Sequence, residues 1–367
     1  MIPPEVLRGV SMRKSIFFDQ RPRTTPDQLF GREEDIRKLL RALEAGSWVA
    51  ILGPRMVGKT SLALAGANVF AKKNKYKVVL VDLRDTETFR QATEKILARL
   101  PKSLLTSLSQ YISRISISTT KVGVSIKLKK NSPARKILSD ALAKLNNTIL
   151  ILDEVQSINQ GVHHFLKVLG SVFNENPSLI VIFTGSYSGI VKKMFESTYR
   201  EAMFGRPPID IRLAPWKETT AEDFLKTGFK KLKIEYQEWE IREAIKQLGT
   251  LPGWLNLYGV KRYIEKDHRV ALKTTIDKAV KEAEKELESL LKGRSPKARE
   301  VIKLLALGAS WSDMVSTGIS EDALSRLLTT LTEGLFIVEK DEDTGVYYFV
   351  DPVYRKAAMK LPLIPRR

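Results

Sequence analysis

The residues whose types and spacing point most directly to chemistry form one short stretch before residue 62. Gly53, Gly58, Lys59 and Thr60 match the phosphate-loop (Walker A) pattern G-x-x-x-x-G-K-[ST]. In such a loop, backbone N–H groups and a helix N-terminus surround a phosphate, the lysine reaches the β- and γ-phosphates, and the hydroxyl binds Mg²⁺. We therefore predict nucleotide contacts from a run of consecutive residues: Gly53, Pro54, Arg55, Met56, Val57, Gly58, Lys59, Thr60 and Ser61.

Two carboxylates could complete this site. Ile149 to Leu152 are consecutive apolar residues, which is typical of a parallel strand buried on both faces, and Asp153 and Glu154 follow directly. The carboxyl ends of parallel strands lie at the edge of the sheet where ligands bind. We predict that Asp153 joins Thr60 in holding the metal, and that Glu154 orients or deprotonates the attacking water.

Several other polar residues have two interpretations each. Thr184, Ser186 and Ser188 lie at the end of another apolar run, where they could hydrogen-bond the γ-phosphate or the water, or could simply form a turn. Arg206 could join Lys59 in stabilising charge on the transferred phosphoryl group, as an arginine finger does, or could bind a carboxylate of the fold.

Arg32 lies in the segment FGREEDI, from Phe30 to Ile36, ahead of the phosphate loop. The functional interpretation places Arg32 near the ribose or adenine of a nucleotide. The spacing alone favours a simpler interpretation, the start of an amphipathic helix with acidic residues in its first turn.

A layered α/β core must position these residues. Between residues 1 and 215, apolar runs of strand length alternate with helical patterns, and an alternating basic stretch at about 113–130 predicts a β-hairpin insert. Charged amphipathic helices follow at 216–293, and three helices with a hairpin at 294–367 form a winged-helix pattern. We therefore predict three domains with these bounds.

Composition excludes several classes of protein. The chain has 367 residues, of which 43% are hydrophobic, with no cysteine and a formal net charge of +19. The absence of cysteine excludes disulfides, thiol catalysis and cysteine-based metal sites. No apolar run approaches the roughly eighteen residues that span a bilayer. We expect a soluble cytoplasmic protein with no membrane partner, and the lack of cysteine with abundant Lys, Glu and Ile would suit a thermophile.

The positive charge is concentrated at residues 101–150, where nine Lys or Arg residues stand against the single acid Asp140. Lysines on a solvated edge strand explain this adequately, whereas contact with DNA phosphates or with an acidic protein is the sharper alternative. The would-be recognition helix of the winged-helix pattern carries Glu321, Asp322 and Glu333 against Arg326, so we expect protein contact or regulation there rather than DNA binding.

With these motifs assembled, the chain resembles the archaeal branch of the STAND-type P-loop ATPases, which are related to AAA+ and Orc/Cdc6-like proteins. The resemblance rests on FGREEDI at 30–36, GPRMVGKT at 53–60, ILILDE at 149–154, FTGS at 183–186, FGR at 204–206, GTLPG at 249–253 and DPVYR at 351–355. It implies ATP/ADP and Mg²⁺ as cofactors, a five-stranded parallel sheet in the order 5-1-4-3-2, a helical lid at 216–293 and a C-terminal winged helix.

The resemblance also implies roles for individual residues. Asp153 and Glu154 are the Walker B pair, Ser186 is sensor-like, Arg206 lies near the γ-phosphate, and Pro252 packs beside the base. The resemblance favours the nucleotide-contacting interpretation of Arg32 and leaves open a homo-oligomer in which Arg206 acts on a neighbouring subunit.

Three functional hypotheses follow. The first is an ATPase that acts as a nucleotide-dependent conformational switch, with slow hydrolysis resetting it. The alternative is a DNA-handling ATPase of the initiator or mobile-element type that grips phosphates through the basic region. The third is a nucleotide-binding scaffold without hydrolysis.

Overall fold

The computed structural model describes residues 17–101, 103–104, 111, 114–120, 123–185 and 207–362. Ser186, Ser188 and Arg206 lie outside the described residues. The described chain separates into two compact units. The core unit comprises 23–214 and 329–336, and the helical unit comprises 17–22, 215–328 and 337–362. The three predicted domain bounds remain a prediction.

The first part of the chain alternates strands and helices. The elements up to residue 214 are α1 (Glu33–Glu44), β1 (Val49–Leu52), α2 (Lys59–Asn74), β2 (Lys77–Asp82), α3 (Phe89–Arg99), β3 (Ile115–Thr120), β4 (Gly123–Leu128), α4 (Ala134–Ala143), β5 (Thr148–Asp153), α5 (Val162–Glu175), β6 (Leu179–Gly185) and β7 (Ile209–Arg212). Short 3₁₀ turns occupy Pro26–Gln28 and Val155–Ser157.

Five of these strands form one parallel sheet in the order β2-β5-β6-β1-β7. Counted within this sheet alone, the order is 2-3-4-1-5 from one edge and 5-1-4-3-2 from the other, because β3 and β4 form a separate hairpin inserted between the second and third strands. All residues of β5 and β6 are buried, as expected for central parallel strands. The predicted α/β class with a five-stranded parallel sheet is confirmed.

The sheet and its helices share an apolar core. Residues of α3, α4, α5 and the hairpin pack with β5 and β6 in one buried cluster. In the hairpin, Ile126 and Leu128 are buried, whereas Ile117 is exposed. Glu94 of α3 accepts a hydrogen bond from Leu128 N at 2.8 Å and pairs with Lys127 at 3.2 Å, so part of the predicted basic face is tied to the core unit.

The rest of the chain is mainly helical. Its elements are α6 (Glu218–Leu232), α7 (Glu238–Leu248), α8 (Pro252–Glu265), α9 (His268–Leu291), α10 (Pro296–Leu307), α11 (Trp311–Val315), α12 (Glu321–Thr329), a π-helical turn (Thr330–Gly334), β8 (Val338–Lys340), β9 (Tyr347–Phe349) and α13 (Pro352–Lys360). Proline begins α8, α10 and α13, where a missing N–H costs no hydrogen bond. Among the described helices, none is long and apolar enough to cross a membrane.

An N-terminal segment belongs to the helical unit although it precedes the core unit in sequence. The Phe18 side chain is 2% exposed, and a Cβ added to Gly228 or Gly259 would lie 2.1 or 2.4 Å from its ring. Asp19 and Asn256, which are 237 residues apart, exchange hydrogen bonds of 3.1 and 2.7 Å. Two glycines thus leave room for one buried aromatic ring from a distant part of the chain.

Candidate functional site

The loop between β1 and α2 has backbone conformations that favour glycine. Gly53 has φ 147°, Met56 φ 65° and Gly58 φ 101°. A Cβ added to Gly53 would lie 2.5 Å from the Leu213 carbonyl oxygen, whereas one added to Gly58 would meet no atom within 4 Å. Gly53 is therefore required by both conformation and space, and Gly58 by conformation.

The Lys59 ammonium group lies inside this loop. Lys59 is 6% exposed, and its Nζ donates hydrogen bonds to the carbonyl oxygens of Gly53 at 3.0 Å and Pro54 at 2.8 Å. Burying an ammonium group is costly unless it is paired. A bound phosphate would supply the opposite charge, so the loop fits an anionic ligand.

Asp153 at the end of β5 lies between two hydroxyl groups. Thr60 Oγ1 donates to Asp153 Oδ1 at 2.8 Å, and Thr184 Oγ1 donates to the same oxygen. Burial raises the pKa of Asp153 above its ordinary value, the hydrogen bonds from Thr184 and Thr60 oppose this, and the charges of Glu154 and Asp82 add to it. A cation would offset this burial, and oxygen donors of these types suit Mg²⁺. The predicted metal pair, Thr60 and Asp153, is thus brought into contact and fits the ion.

Glu154 is held from both its backbone and its side chain. Its backbone is left-handed (φ 58°, ψ 42°), which costs a non-glycine residue about 1–2 kcal/mol. Its N–H donates to Thr184 Oγ1 at 3.3 Å, and the Gln156 amide donates to its Oε2. The carboxylate therefore follows β5 directly, beside the Asp153 site, in a fixed orientation.

Arg32 contacts the backbone of the phosphate loop. Its guanidinium donates to the carbonyl oxygens of Val57 at 3.3 Å and Ala214 at 2.8 Å, and it pairs with Asp35 at 3.3 Å. Burial lowers the pKa of Arg32, and the charge and hydrogen bond of Asp35 oppose this. These contacts give Arg32 a role in the fold, and its contact with a nucleotide remains a prediction. Ser61 accepts a hydrogen bond from Arg23 N at 3.1 Å, again within the fold.

The remaining predicted residues lie elsewhere. Pro252 begins α8 in the helical unit. Its proposed contact with the base remains a prediction, as do the roles of Ser186 and Arg206 outside the described residues.

Sequence reasoning missed Gln156 and the pair formed by Asp82 and Arg84. Asp82 is the register partner of Asp153, and Arg84 Nη2 lies 2.5 Å from Asp82 Oδ2. The hydrogen bond from Arg84 to Asp82 raises the pKa of Arg84, burial opposes this, and the charges of Asp82, Asp153 and Glu154 add to the rise. Asp82 and Arg84 could have been found from the polar residues that end β2, in the same way as Asp153 was found from β5.

Comparison with known proteins finds a family model and solved structures that match this chain. The model of a family described as an ATPase domain predominantly from Archaea matches residues 29–257. A Walker-type ATPase of Pyrococcus abyssi is 27% identical, with a TM-score of 0.69, over 93% of this chain and 99% of that chain. The ORC2 protein of Aeropyrum pernix, solved as ADPNP–ADP complexes, is 14% identical, with a TM-score of 0.60, over 95% of this chain and 96% of its own, and shows a shared fold. No curated protein matched the chain.

Proposed function

This chain belongs to the family of ATPase domains found predominantly in Archaea, and from that premise we propose that it is a switch whose conformation depends on bound ATP. The observation that carries the proposal is the convergence of Thr60 and Thr184 on one oxygen of Asp153, beside a loop that encloses the Lys59 ammonium. The phosphate loop would hold the phosphates, Thr60 and Asp153 would hold the metal, and Glu154 would act as the base. These are the groups that phosphoryl transfer to water needs.

The chain's own residues provide the steps. Lys59 exchanges two backbone carbonyl oxygens for phosphate oxygens. Glu154 orients a water and takes its proton as the new O–P bond forms, while the bond between the γ-phosphorus and the bridging oxygen breaks and ADP leaves with the electron pair. Mg²⁺ bound by Thr60 and Asp153 would neutralise charge on the phosphate oxygens.

The part of the chain after residue 215 supplies the proposed moving part. Helices α10, α11 and α12 followed by the hairpin of β8 and β9 fit a winged-helix domain, and an antiparallel bridge between Ala309 and Tyr347 extends the hairpin. Residues 216–293 would act as the lid, and slow hydrolysis would reset the switch. The acidic residues Glu321 and Asp322 at the start of α12 favour a protein partner.

The test is the substitution Glu154→Gln, which keeps the size of the side chain and removes its basicity. We expect ATP affinity, measured by calorimetry with Mg²⁺, within a few-fold of the parent, and turnover at least about 100-fold lower, because a general base contributes roughly 10²–10⁴-fold. Glu342→Gln, at an exposed position, is the matched control. Turnover at the parent rate would show that Glu154 is not the base, and a parent chain without affinity for ATP would end the proposal.

A second candidate, a DNA-handling ATPase, is favoured by one surface. Lys129, Lys130, Arg135 and Lys136 are all exposed where the hairpin leads into α4. If they contact phosphates, affinity for duplex or single-stranded DNA will fall steeply with salt, and replacing all four by Gln will flatten the slope by about 0.7–0.9 per lost contact. Absence of DNA retention at low salt would exclude this candidate.

A further inference from the structure

We propose that Gln156 is a positioning residue that aims the Glu154 carboxylate at the attacking water, and that residue 185 is glycine because the Gln156 amide occupies the space of a side chain there. This inference rests on the proposed hydrolysis of ATP. It names the group that controls the base, which neither the family match nor the phosphate-loop pattern supplies.

The first observation is the contact itself. Gln156 Nε2 donates a hydrogen bond to Oε2 of Glu154, the residue that precedes the 3₁₀ turn after β5. Val155 between them is fully buried and fixes this turn in the core. Because the amide engages Oε2, Oε1 is the oxygen that would accept the hydrogen bond from water. The amide thus uses Oε2 to orient the carboxylate and leaves Oε1 to contact the water.

The second observation concerns the neighbouring strand. A Cβ added to Gly185, the last residue of β6, would lie 2.2 Å from Gln156 Oε1 and 3.2 Å from Gln156 Cδ. Such distances leave no room for alanine without displacing the amide. Gly185 is not among the glycines with a positive φ. The available space, rather than the backbone conformation, therefore favours glycine at this position.

The third observation is that only the donor side of the Gln156 amide forms a hydrogen bond among the described residues. Gln156 Oε1 is buried and has no hydrogen-bond partner in the part of the chain that the structure describes. An unsatisfied buried oxygen destabilises a fold. Reversing the amide would place this oxygen against the Glu154 carboxylate, so the donor side must face Glu154. The orientation therefore serves Glu154 at a cost to Oε1.

The experiment uses the full chain with Gln156→Ala, Gly185→Ala and the double variant, with Gln160→Ala as an exposed matched control. For Gln156→Ala we expect kcat to fall about 10–100-fold with little change in ATP affinity. A purely structural role would instead lower ATP affinity together with kcat. Gln156→Asn, whose shorter side chain cannot reach Oε2 from the same backbone, is expected to resemble Gln156→Ala.

A second measurement does not depend on hydrolysis. Gly185→Ala is expected to lower the unfolding midpoint of the parent and to lower it much less in the Gln156→Ala background, because the obstructing amide is then gone. Additive effects of the two substitutions would refute the packing argument. A parent-like kcat in Gln156→Ala would refute the positioning role. If instead the parent chain binds ATP without hydrolysing it, the failure lies in the proposed function and removes this inference with it.

Discussion

We predict that Asp351, which caps α13, makes the stability of the helical unit depend on pH. It is 4% exposed, and its Oδ1 accepts hydrogen bonds from the backbone N–H groups of Val353 at 2.8 Å and Tyr354 at 3.0 Å. A Cβ added to Gly249 would lie 3.0 Å from its Oδ2. The carboxylate is thus enclosed between the N-terminus of α13 and the segment that leads into α8.

The size of the effect follows from the pKa. Burial raises the pKa of Asp351 from 3.8 to about 7, although the two backbone hydrogen bonds and the Lys356 charge oppose the rise, and the charge of Glu286 adds to it. At about 1.4 kcal/mol per pH unit, this difference corresponds to roughly 4 kcal/mol as an upper limit. Because the folded pKa is the higher one, the stabilisation is fully present below about pH 4 and is lost as pH rises through about 7.

We predict that Asp351→Asn removes this pH dependence, since asparagine can accept the same two N–H groups without a charge. Native-state amide exchange of α13 and α9 between pH 5 and pH 8, corrected for intrinsic rates, measures the helical unit, and amides of β5 and β6 report the core unit in the same sample. Asp277→Asn, exposed on α9, is the control. Equal pH slopes for the parent and Asp351→Asn would refute the reasoning.

Two further predictions concern the core unit and are measured by urea unfolding at pH 7 together with ATP calorimetry. Gly53→Ala combines a positive φ with a close contact to the Leu213 carbonyl oxygen, so we expect it to lower the free energy of unfolding by roughly 2–4 kcal/mol and to abolish ATP binding. Gly46→Ala, with φ +68° and no neighbour within 4 Å, is expected to lower the free energy of unfolding by about 1 kcal/mol. Equal losses in the two variants would contradict the contact argument. Thr184→Val removes a donor to the buried Asp153 carboxylate and should cost roughly 2–4 kcal/mol, while Thr184→Ser keeps the hydroxyl and should cost about 1 kcal/mol; a valine variant as stable as the serine variant would contradict the role of the hydroxyl.

Those parts of the site that are contiguous in sequence could be predicted from it. The phosphate loop is a single run from Gly53 to Ser61, and its chemistry follows from the residue types in order. The uninterrupted apolar run of β5 predicted burial on both faces, and Asp153 and Glu154 follow this run directly. In each case a local pattern determines a local structure.

What the sequence could not predict depends on which strands are neighbours. The packing of Gln156 on Gly185 requires that β5 lie beside β6, and the approach of Asp82 to Asp153 requires the register of β2 on β5. Alternation in the hairpin predicted one apolar face, yet Ile117 is 57% exposed while Ile126 is 2% exposed. Period two shows that a strand has two faces but does not show how much of each is covered.

Two motifs behind the family resemblance meet within the helical unit. Gly249 of GTLPG would clash through an added Cβ with Pro352 Cδ of DPVYR at 2.9 Å, and next to the two motifs Lys356 Nζ donates to the Gln247 carbonyl oxygen at 3.0 Å. Each motif reads as a turn or a helix start in the sequence. Their contact is a property of the folded chain, since about a hundred residues separate them.

The slot that receives Phe18 has a consequence for how the molecule is made. A ribosome synthesises Phe18 and Asp19 first, then residues 23–214 of the core unit, and only later Gly228, Asn256 and Gly259. Phe18 therefore cannot be buried in the helical unit until translation has passed residue 259. Until that moment the Phe18 ring lacks the helices α6 and α8 against which it is buried in the folded chain.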